Sequence, residues 1–148
     1  IYMIELVYIS KANKRFTTAE VQAMLRTFRQ KNHATEVTGL LLYDGYGTFV
    51  QALEGDSEVL TTLYAKIKLD ERHTRVNLLG ETPISKRSFP DWRMGYKNLD
   101  LSSAIEIEGY SDFLEHNDRT DYLAQKPNFA MDLLEHFKHN SKSNLDED

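Results

Sequence analysis

The stretch VTGLLLYDGYGTFVQAL, residues 37–53, decides the fold, because it contains two apolar runs separated by a short turn. Val37–Tyr43 and Thr48–Leu53 are each long enough and apolar enough to form a buried strand. Between them, Asp44-Gly45 followed by Gly47 is typical of a hairpin turn, whose central residues need a positive φ. The sequence therefore predicts a β-hairpin here, and the other elements can be placed around it.

One amphipathic helix precedes the hairpin in the sequence and another follows it, and further strands are predicted before and after them. Apolar residues recur at helical spacing over Thr18–Lys31 and over Ser57–Leu69, which predicts one helix in each range. Shorter apolar runs predict strands at Ile4–Ile9, Val76–Leu79 and Trp92–Tyr96. The order βαββαββ, with two right-handed crossover helices on one face of a sheet, predicts a ferredoxin-like α+β sandwich.

The composition changes after Asn98. We expect residues 1–98 to form the ferredoxin-like domain and residues 99–148 to form a C-terminal extension. In the extension, Pro127 suits the first position of a helix, and an apolar stripe from Phe129 to Phe137 follows it. The stretch 104–114 is ambiguous. We expect additional C-terminal helices to cover the other face of the sheet, followed by a frayed acidic tail over 141–148.

Composition and charge exclude several classes of protein. The chain has 148 residues, the size of one domain, and a net charge of −5, which gives no overall attraction to nucleic acid or to anionic membranes. It has no cysteine, so disulfides, thiolate metal sites and cysteine nucleophiles are excluded. No apolar run approaches a membrane span, and the N-terminus lacks the features of a signal peptide. We therefore expect a cytoplasmic protein.

No motif for metal or nucleotide chemistry stands out. His136 and His139 lie one turn apart beside Glu135, but this pattern is common on the solvated side of a helix, and we predict no metal site. There is no nucleophile elbow, phosphate-binding glycine loop or dinucleotide fingerprint.

Two polar residues interrupt the predicted strands. Tyr8 lies in the first strand, and Gln51 lies among apolar residues in the second strand of the hairpin. A buried glutamine amide must have its donors and acceptor satisfied, at about 1–3 kcal/mol for each group left without a partner. A tyrosine hydroxyl is one candidate partner and a polar ligand is the other. On the residues alone, a hydrogen bond within the core is favoured over a ligand site.

Five segments, taken together and in order, resemble the BLUF family, the sensors of blue light using flavin. They are LVYIS (6–10), Asn32 with VTGLL (37–41), FVQALEG (49–55), DERH (70–73) and RSFPDWRM (87–94). The resemblance covers residues 4–97. It implies a flavin bound without a covalent link between the two helices; we expect FAD, with FMN and riboflavin as alternatives.

The resemblance also implies flavin contacts for side chains on or just after the two helices: Met24, Phe28, Lys31, Asn32, Lys66, Ile67, Asp70, Arg72 and His73. Met24 and Ile67 are implied to lie against the two faces of the ring, while Phe28 narrows the pocket. The Asn32 amide is implied to bond the carbonyl and imide edge of the ring. Lys31, in place of an asparagine of some members, either reaches a phosphate or stays solvated. The remaining four are implied to contact the pyrimidine end or the ribityl chain.

Tyr8 and Gln51 are implied to be photoactive. In the family's mechanism an electron and then a proton leave Tyr8 for the excited flavin by way of Gln51, and their return leaves Gln51 rotated, tautomerised or both. The altered amide then bonds the flavin C4 carbonyl more strongly. On the predicted last strand, either Trp92 or Met94 lies beside Gln51, and exchange of the two would carry the signal to the C-terminal helices.

The function implied is that of a blue-light photoreceptor and not of an enzyme. About 50 residues follow the sensor, too few for a cyclase or phosphodiesterase, so we expect output through an unidentified protein partner or through self-association as a homo-oligomer. The flavin is the expected ligand, without nucleic acid or membrane. The alternatives are a flavin-dependent oxidoreductase and a pigment-free interaction module with the same fold.

Overall fold

The molecule is built on one five-stranded sheet, seen in a computed structural model that describes residues 2–99 and 107–138. Its strands are β1 (Met3–Ala12), β2 (Thr38–Tyr43), β3 (Thr48–Asp56), β4 (His73–Ile84) and β5 (Gly95–Asn98). They lie in the order β4-β1-β3-β2-β5, and all neighbours are antiparallel except β2 and β5. The first four strands have the ferredoxin-like arrangement, so the predicted fold is confirmed.

Five helices in the described part of the chain cover the two faces of this sheet. They are α1 (Thr18–Thr35), α2 (Ser57–Leu69), α3 (Tyr110–Glu115), α4 (Arg119–Gln125) and α5 (Pro127–Lys138). Side chains of alternate strand residues point to opposite faces. Leu6 and Leu53 pack with α1 and α2, whereas Val7 and Ala52 pack with the C-terminal helices, so the protein has one apolar core on each side.

Helix α1 begins at a complete capping box. The Thr17 hydroxyl accepts from the Glu20 backbone N–H at 3.2 Å, and the Glu20 carboxylate accepts from the Thr17 backbone N–H at 3.0 Å. The helix continues one turn beyond the predicted end at Lys31, as far as Thr35, and ends where Glu36 takes a left-handed conformation with φ 58°. This extra turn includes Asn32 and fixes its side chain on the buried side of the helix.

The hairpin predicted at 44–47 is held by one side chain. Asp44 is buried, and its Oδ1 accepts from the backbone N–H groups of Tyr46, Gly47 and Thr48 at 2.8, 2.9 and 3.0 Å. Gly45 has φ 82°, as the turn requires. The other carboxylate oxygen of Asp44 accepts from Arg119 Nη1 at 3.0 Å, which ties α4 to the hairpin.

Strand register places Tyr8 directly opposite Gln51 in the β1–β3 pair, and Gln51 opposite Leu41 in the β3–β2 pair. The approach of β2 to β3 depends on Gly39, since a Cβ there would lie 2.1 Å from the Ala52 carbonyl oxygen. The polar pair of the sequence is therefore side by side in the middle of the sheet, on the face covered by α1 and α2.

The last strand differs from the prediction. It was expected at Trp92–Tyr96 but covers Gly95–Asn98, because a turn with a Trp92 N–H to Phe89 carbonyl bond of 3.1 Å precedes it. Trp92 and Met94 thus lie outside the strand, and strand alternation does not place them on one face. Met94 packs in the core under α1 and α2, whereas Trp92 packs on the opposite side.

The C-terminal helices cover the second face as expected. Helix α5 begins at Pro127, whereas α3 accounts for only part of the ambiguous stretch and α4 was not predicted. The predicted tail over 141–148 and His139 lie outside the described residues, and the division of the chain at residue 98 stays a prediction. Within 2–99 and 107–138, no helix has the length and apolar character needed to cross a membrane.

Candidate functional site

A cleft opens between α1 and α2 above the middle of the sheet. It holds about 610 Å³ of space free of atoms, its open mouth included. Most of the side chains around it are apolar, with a few polar groups among them, as is usual for sites that bind small organic ligands. The lining residues are Tyr8, Met24, Phe28, Asn32, Leu41, Phe49, Gln51, Leu53, Leu63, Ile67, Asp70, Arg72, His73 and Met94.

The floor of the cleft contains the Tyr8–Gln51 hydrogen bond. The Tyr8 hydroxyl donates to Gln51 Oε1, and the two residues are 4% and 5% exposed. Burial, together with the nearby negative charge of Asp70, raises the pKa of the Tyr8 phenol, so that it keeps its proton and acts as the donor. The hydrogen bond within the core exists, but the pair borders the cleft and does not lie in a closed interior.

The amide of Gln51 has a second partner on its other side. Its Nε2 donates to the Met94 thioether at 3.2 Å, and Met94 is fully buried. Since the oxygen faces a hydroxyl donor and the nitrogen faces an acceptor, the amide has one preferred orientation in this arrangement. Tyr8, Gln51 and Met94 therefore form a directed chain of hydrogen bonds along the floor.

Of the two residues that sequence could not separate, Met94 is the one beside Gln51. Trp92 does not line the cleft; it stacks on Phe89 with ring centroids 5.7 Å apart and planes 14° apart. Its indole also lies across the backbone of Gly95, where a Cβ would come within 2.4 Å of Trp92 Cε3. The absence of a side chain at residue 95 thus makes room for Trp92 on the face opposite the cleft.

Asn32 joins the cleft to the segment before β5. It is buried at the end of α1, and its Nδ2 donates to the Arg93 carbonyl at 2.6 Å. An amide has two N–H groups and one carbonyl oxygen, so this bond uses only part of its capacity. The rest of the amide can serve a ligand in the cleft that it lines.

An ion pair lies at the end of α2 beside the mouth of the cleft. Arg72 donates to both carboxylate oxygens of Asp70 through Nε and Nη2, and its backbone N–H donates to Oδ1 at 2.9 Å. These hydrogen bonds lower the pKa of Asp70 to about 2. The guanidinium carbon also lies 5.2 Å from the centroid of the Phe28 ring, so the pair reaches across from α2 to α1.

His73 lines the cleft, but both of its ring nitrogens face protein partners. Nε2 lies 2.6 Å from the Ile67 carbonyl oxygen, and Nδ1 lies 2.8 Å from Ser10 Oγ. A carbonyl can only accept, so Nε2 is protonated, and in the neutral ring Nδ1 accepts from the Ser10 hydroxyl. The imidazole therefore joins the end of α2 to β1, and its plane lies at 81° to the Tyr8 ring, with ring centroids 6.2 Å apart.

Besides Trp92, two more of the predicted site residues lie outside the cleft. Lys31 and Lys66 are exposed and do not line the cleft, because each is one position away from a helix residue that does, and one position turns a helix by 100°. The sequence had not assigned four lining residues: Leu41, Phe49, Leu53 and Leu63. Three of these were detectable, since Phe49 and Leu53 alternate with Gln51 along one strand face and Leu63 lies one turn before Ile67.

The histidines that were considered for a metal site, His136 and His139, belong to the C-terminal part of the chain. Among the residues that the structure describes, no group of three or more metal-ligating side chains occurs. His136 lies on α5, where its Nε2 is buried without a hydrogen-bond partner in the described part of the chain.

Comparison with known proteins places the sequence in a family. The sequence matches the family model described as BLUF, sensors of blue light using FAD, over residues 3–95. It is 39% identical over 90 residues to the photoactivated adenylate cyclase subunit beta of Euglena longa, a match that covers 60% of this chain and 10% of that one. The chain thus spans about a tenth of the length of this relative.

Two solved structures are similar over nearly their whole length. One is BlrB, a BLUF protein in its dark state, with a TM-score of 0.73, 26% identity, and 93% of this chain and 96% of that chain covered. The other is BlsA in its photoactivated state, with a TM-score of 0.76, 25% identity, and coverage of 97% and 99%. In both, the similarity extends beyond the family match into the C-terminal helices.

Proposed function

Because the chain belongs to the BLUF family, the sensors of blue light using FAD, we propose that it holds its flavin in the cleft between α1 and α2 and responds to light through Tyr8, Gln51 and Met94. The observation that carries this proposal is the directed hydrogen-bond chain on the floor of an otherwise apolar cleft. The Tyr8–Gln51 pair borders an open cleft and not a closed core, so a ligand bound in the cleft would contact it directly.

The donor set of the cleft fits a flavin. The flat three-ring system is apolar on both faces, and Met24 on α1 and Ile67 on α2 offer it apolar contacts from the two helices. Its pyrimidine edge alternates carbonyl oxygens with a ring N–H, which the side-chain amides of Asn32 and Gln51 can satisfy. Asp70 and Arg72 add charged groups near the mouth. Lys31 and Lys66, exposed outside the cleft, have no part in holding the ring in this proposal.

When bound, the flavin supplies the absorption of blue light and, in its excited state, a strong oxidant. Tyr8 is an oxidisable side chain in the hydrogen-bond chain that borders the cleft, and its phenol holds one proton on the bond to Gln51 Oε1. An oxidised phenol is far more acidic than a neutral one, so this proton would move to Oε1 when Tyr8 gives an electron to the excited flavin. The electron and the proton would then both return to Tyr8, so that no net oxidation remains. A tyrosine phenol is protonated at neutral pH, and burial raises the pKa of Tyr8 further, so the proton is present at the start.

Gln51 can stay in an altered orientation after the proton transfer, because the two ends of its amide, an oxygen and an NH₂ group, are chemically different. Inversion would present Nε2 to the Tyr8 oxygen and Oε1 to the Met94 sulfur, and a thioether has no proton to donate. Tautomerisation would likewise change which end donates. Each altered hydrogen bond contributes about 1 kcal/mol net, enough to shift a nearly balanced local equilibrium. The amide would then release Met94, which directly precedes β5.

We further propose that the sensor has no catalytic activity of its own and acts on a separate protein, on another domain or on a second copy of the chain. The Euglena relative supports this, since the matched part is a tenth of a protein named as an adenylate cyclase subunit. The route would run from Met94 through the segment before β5 to the C-terminal helices. We also propose that the protein acts in the cytoplasm and binds neither nucleic acid nor membrane. This part of the proposal rests on the net charge of −5 and the lack of cysteine.

A cleft-filling substitution tests where the flavin binds. Ile67→Trp would place an indole inside the cleft, whereas Lys66→Trp places the same ring on the exposed side of the same helix turn. Each protein is mixed with FAD, FMN and riboflavin, and binding is followed by quenching of the flavin emission. We expect Lys66→Trp to bind like the original protein and Ile67→Trp to bind at least about tenfold more weakly. Equal binding by both variants would place the flavin elsewhere, and continuous oxidation of reduced nicotinamide by the loaded protein would favour an oxidoreductase.

A further inference from the structure

The three residues before β5 are held through their backbone carbonyls by three different groups. Gly39 N–H of β2 donates to the Trp92 carbonyl at 3.0 Å, and Asn32 Nδ2 donates to the Arg93 carbonyl at 2.6 Å. The Met94 carbonyl accepts from Arg29, whose Nε and Nη2 lie 3.0 and 2.9 Å from it. Two of the three holding groups are thus side chains of α1.

Arg29 is an unusual residue for its position. It is 6% exposed and continues the buried stripe of α1, four residues after Leu25 and three before Asn32. A guanidinium is costly to bury unless hydrogen-bond acceptors replace its water. Two N–H groups directed at one carbonyl hold that carbonyl in position and direction. Arg29 does not line the cleft, so contact with the flavin does not explain its burial.

Met94 lies just outside the paired residues of β2 and β5, where Arg29 holds its backbone carbonyl. The ladder between β2 and β5 begins with Leu40 opposite Gly95, one residue later. The Met94 sulfur accepts a hydrogen bond from the Gln51 amide. Because a thioether is a weak acceptor, this bond alone holds Met94 only weakly. The position of the Met94 backbone therefore decides whether its sulfur reaches Gln51.

We propose that Arg29 is a positioning residue for the light response. By hydrogen bonding to the Met94 carbonyl, it keeps the Met94 sulfur within hydrogen-bond distance of Gln51 Nε2. It thereby fixes the orientation of the Gln51 amide before light. The inference rests on the proposed function for its meaning in light, but the position of Met94 can be measured without light or flavin.

The test compares Arg29→Leu with Arg26→Leu, which removes the same type of side chain from an exposed position one turn earlier on α1. The chain has four methionines, so labelling their methyl groups with ¹³C gives a simple NMR spectrum, in which Met94→Leu identifies the Met94 signal. Spectra are recorded for the flavin-free protein and, where flavin binds, for the loaded protein in the dark. The light-induced shift of the flavin spectrum and its recovery rate are measured in parallel.

We expect Arg29→Leu to bind flavin like the original protein but to show a displaced or doubled Met94 methyl signal. Its recovery rate should change by about tenfold, the effect of losing hydrogen bonds to a charged group. Arg26→Leu should match the original protein in both measurements. If Arg29→Leu does not fold, Arg29→Lys replaces it as the test. One ammonium cannot reproduce the paired bonds, so this variant should also displace the Met94 methyl signal, but by less.

An unchanged Met94 signal in the folded variant would overturn the proposal, even if thermal stability fell, because the role of Arg29 would then be structural only. Failure of the proposed function looks different. The original protein would then bind no flavin or show no light response, while the Met94 signal of the flavin-free variants would still confirm or refute the grip of Arg29.

Discussion

Replacing Gly95 with alanine should displace the Trp92 indole from its place across β5. A Cβ at residue 95 would lie 2.4 Å from Trp92 Cε3 and 2.8 Å from Cδ2, whereas carbon atoms in contact prefer about 3.5–4.0 Å. The ring must therefore retreat by about 1 Å, away from the stacked arrangement that it makes with Phe89. Overpacking of this kind costs about 1–3 kcal/mol. Gly95 does not have a positive φ, so the cost comes from the clash and not from backbone strain.

Trp92 is the only tryptophan in the chain, which makes the assay direct. Urea unfolding followed by tryptophan emission gives the free energy of unfolding, and acrylamide quenching of the native protein gives the accessibility of the indole. Gly80→Ala is the matched control, because it changes a strand glycine whose Cβ would meet nothing within 4 Å. We expect Gly95→Ala to be destabilised and more strongly quenched, and Gly80→Ala to match the original protein. A Gly95→Ala protein with unchanged stability and unchanged emission would refute the placement of Trp92.

Two further changes test a buried carboxylate of β3 and a carboxylate that lines the cleft. Glu54→Gln should lower the free energy of unfolding by about 1–3 kcal/mol, because the buried carboxylate accepts from the Thr38 hydroxyl and from two backbone N–H groups of the β4–β5 loop. Urea unfolding beside the exposed Glu71→Gln checks this, and equal stability of the two variants would contradict it. Asp70→Asn should cost at most about 1 kcal/mol at neutral pH, as its ion pair is partly exposed. Since the pKa of Asp70 is lowered from 3.8 to about 2, its contribution is present above pH 3.8 and is lost as the pH falls to about 2. The stability difference from the original protein should narrow as the pH falls through that range, and a difference of unchanged size at pH 2 would contradict the pairing with Arg72.

Elements with strong local signals could be predicted from the sequence. Helix α2 has the predicted bounds, Ser57–Leu69, and the hairpin turn has the predicted glycine with positive φ. Helix α4 was missed because it has only seven residues, too few to show a clear apolar period. The last strand was predicted too early in the sequence, because strand alternation was applied to Trp92 and Met94. In the structure these two residues follow a turn and precede the strand.

The site was predicted where a residue type already indicated chemistry. Tyr8 and Gln51 were singled out as polar residues in apolar strands, and the structure brings them into register. Arg29 was missed because an arginine on a helix is usually exposed, and no local pattern shows that the carbonyl of residue 94 needs a donor. Contacts between residues 65 positions apart depend on the tertiary fold, so a single sequence does not show them.

The most direct test of the account is the absorption spectrum of the flavin-loaded protein in the dark, after blue light, and again after darkness. We expect the flavin band to shift to longer wavelength in light and to return in darkness, because the rearranged Gln51 amide bonds the ring more strongly without lasting covalent change. Tyr8→Phe and Gln51→Leu should keep the flavin and lose the shift. A normal reversible shift in either variant would contradict the central claim that the hydrogen bond between these two side chains carries the response.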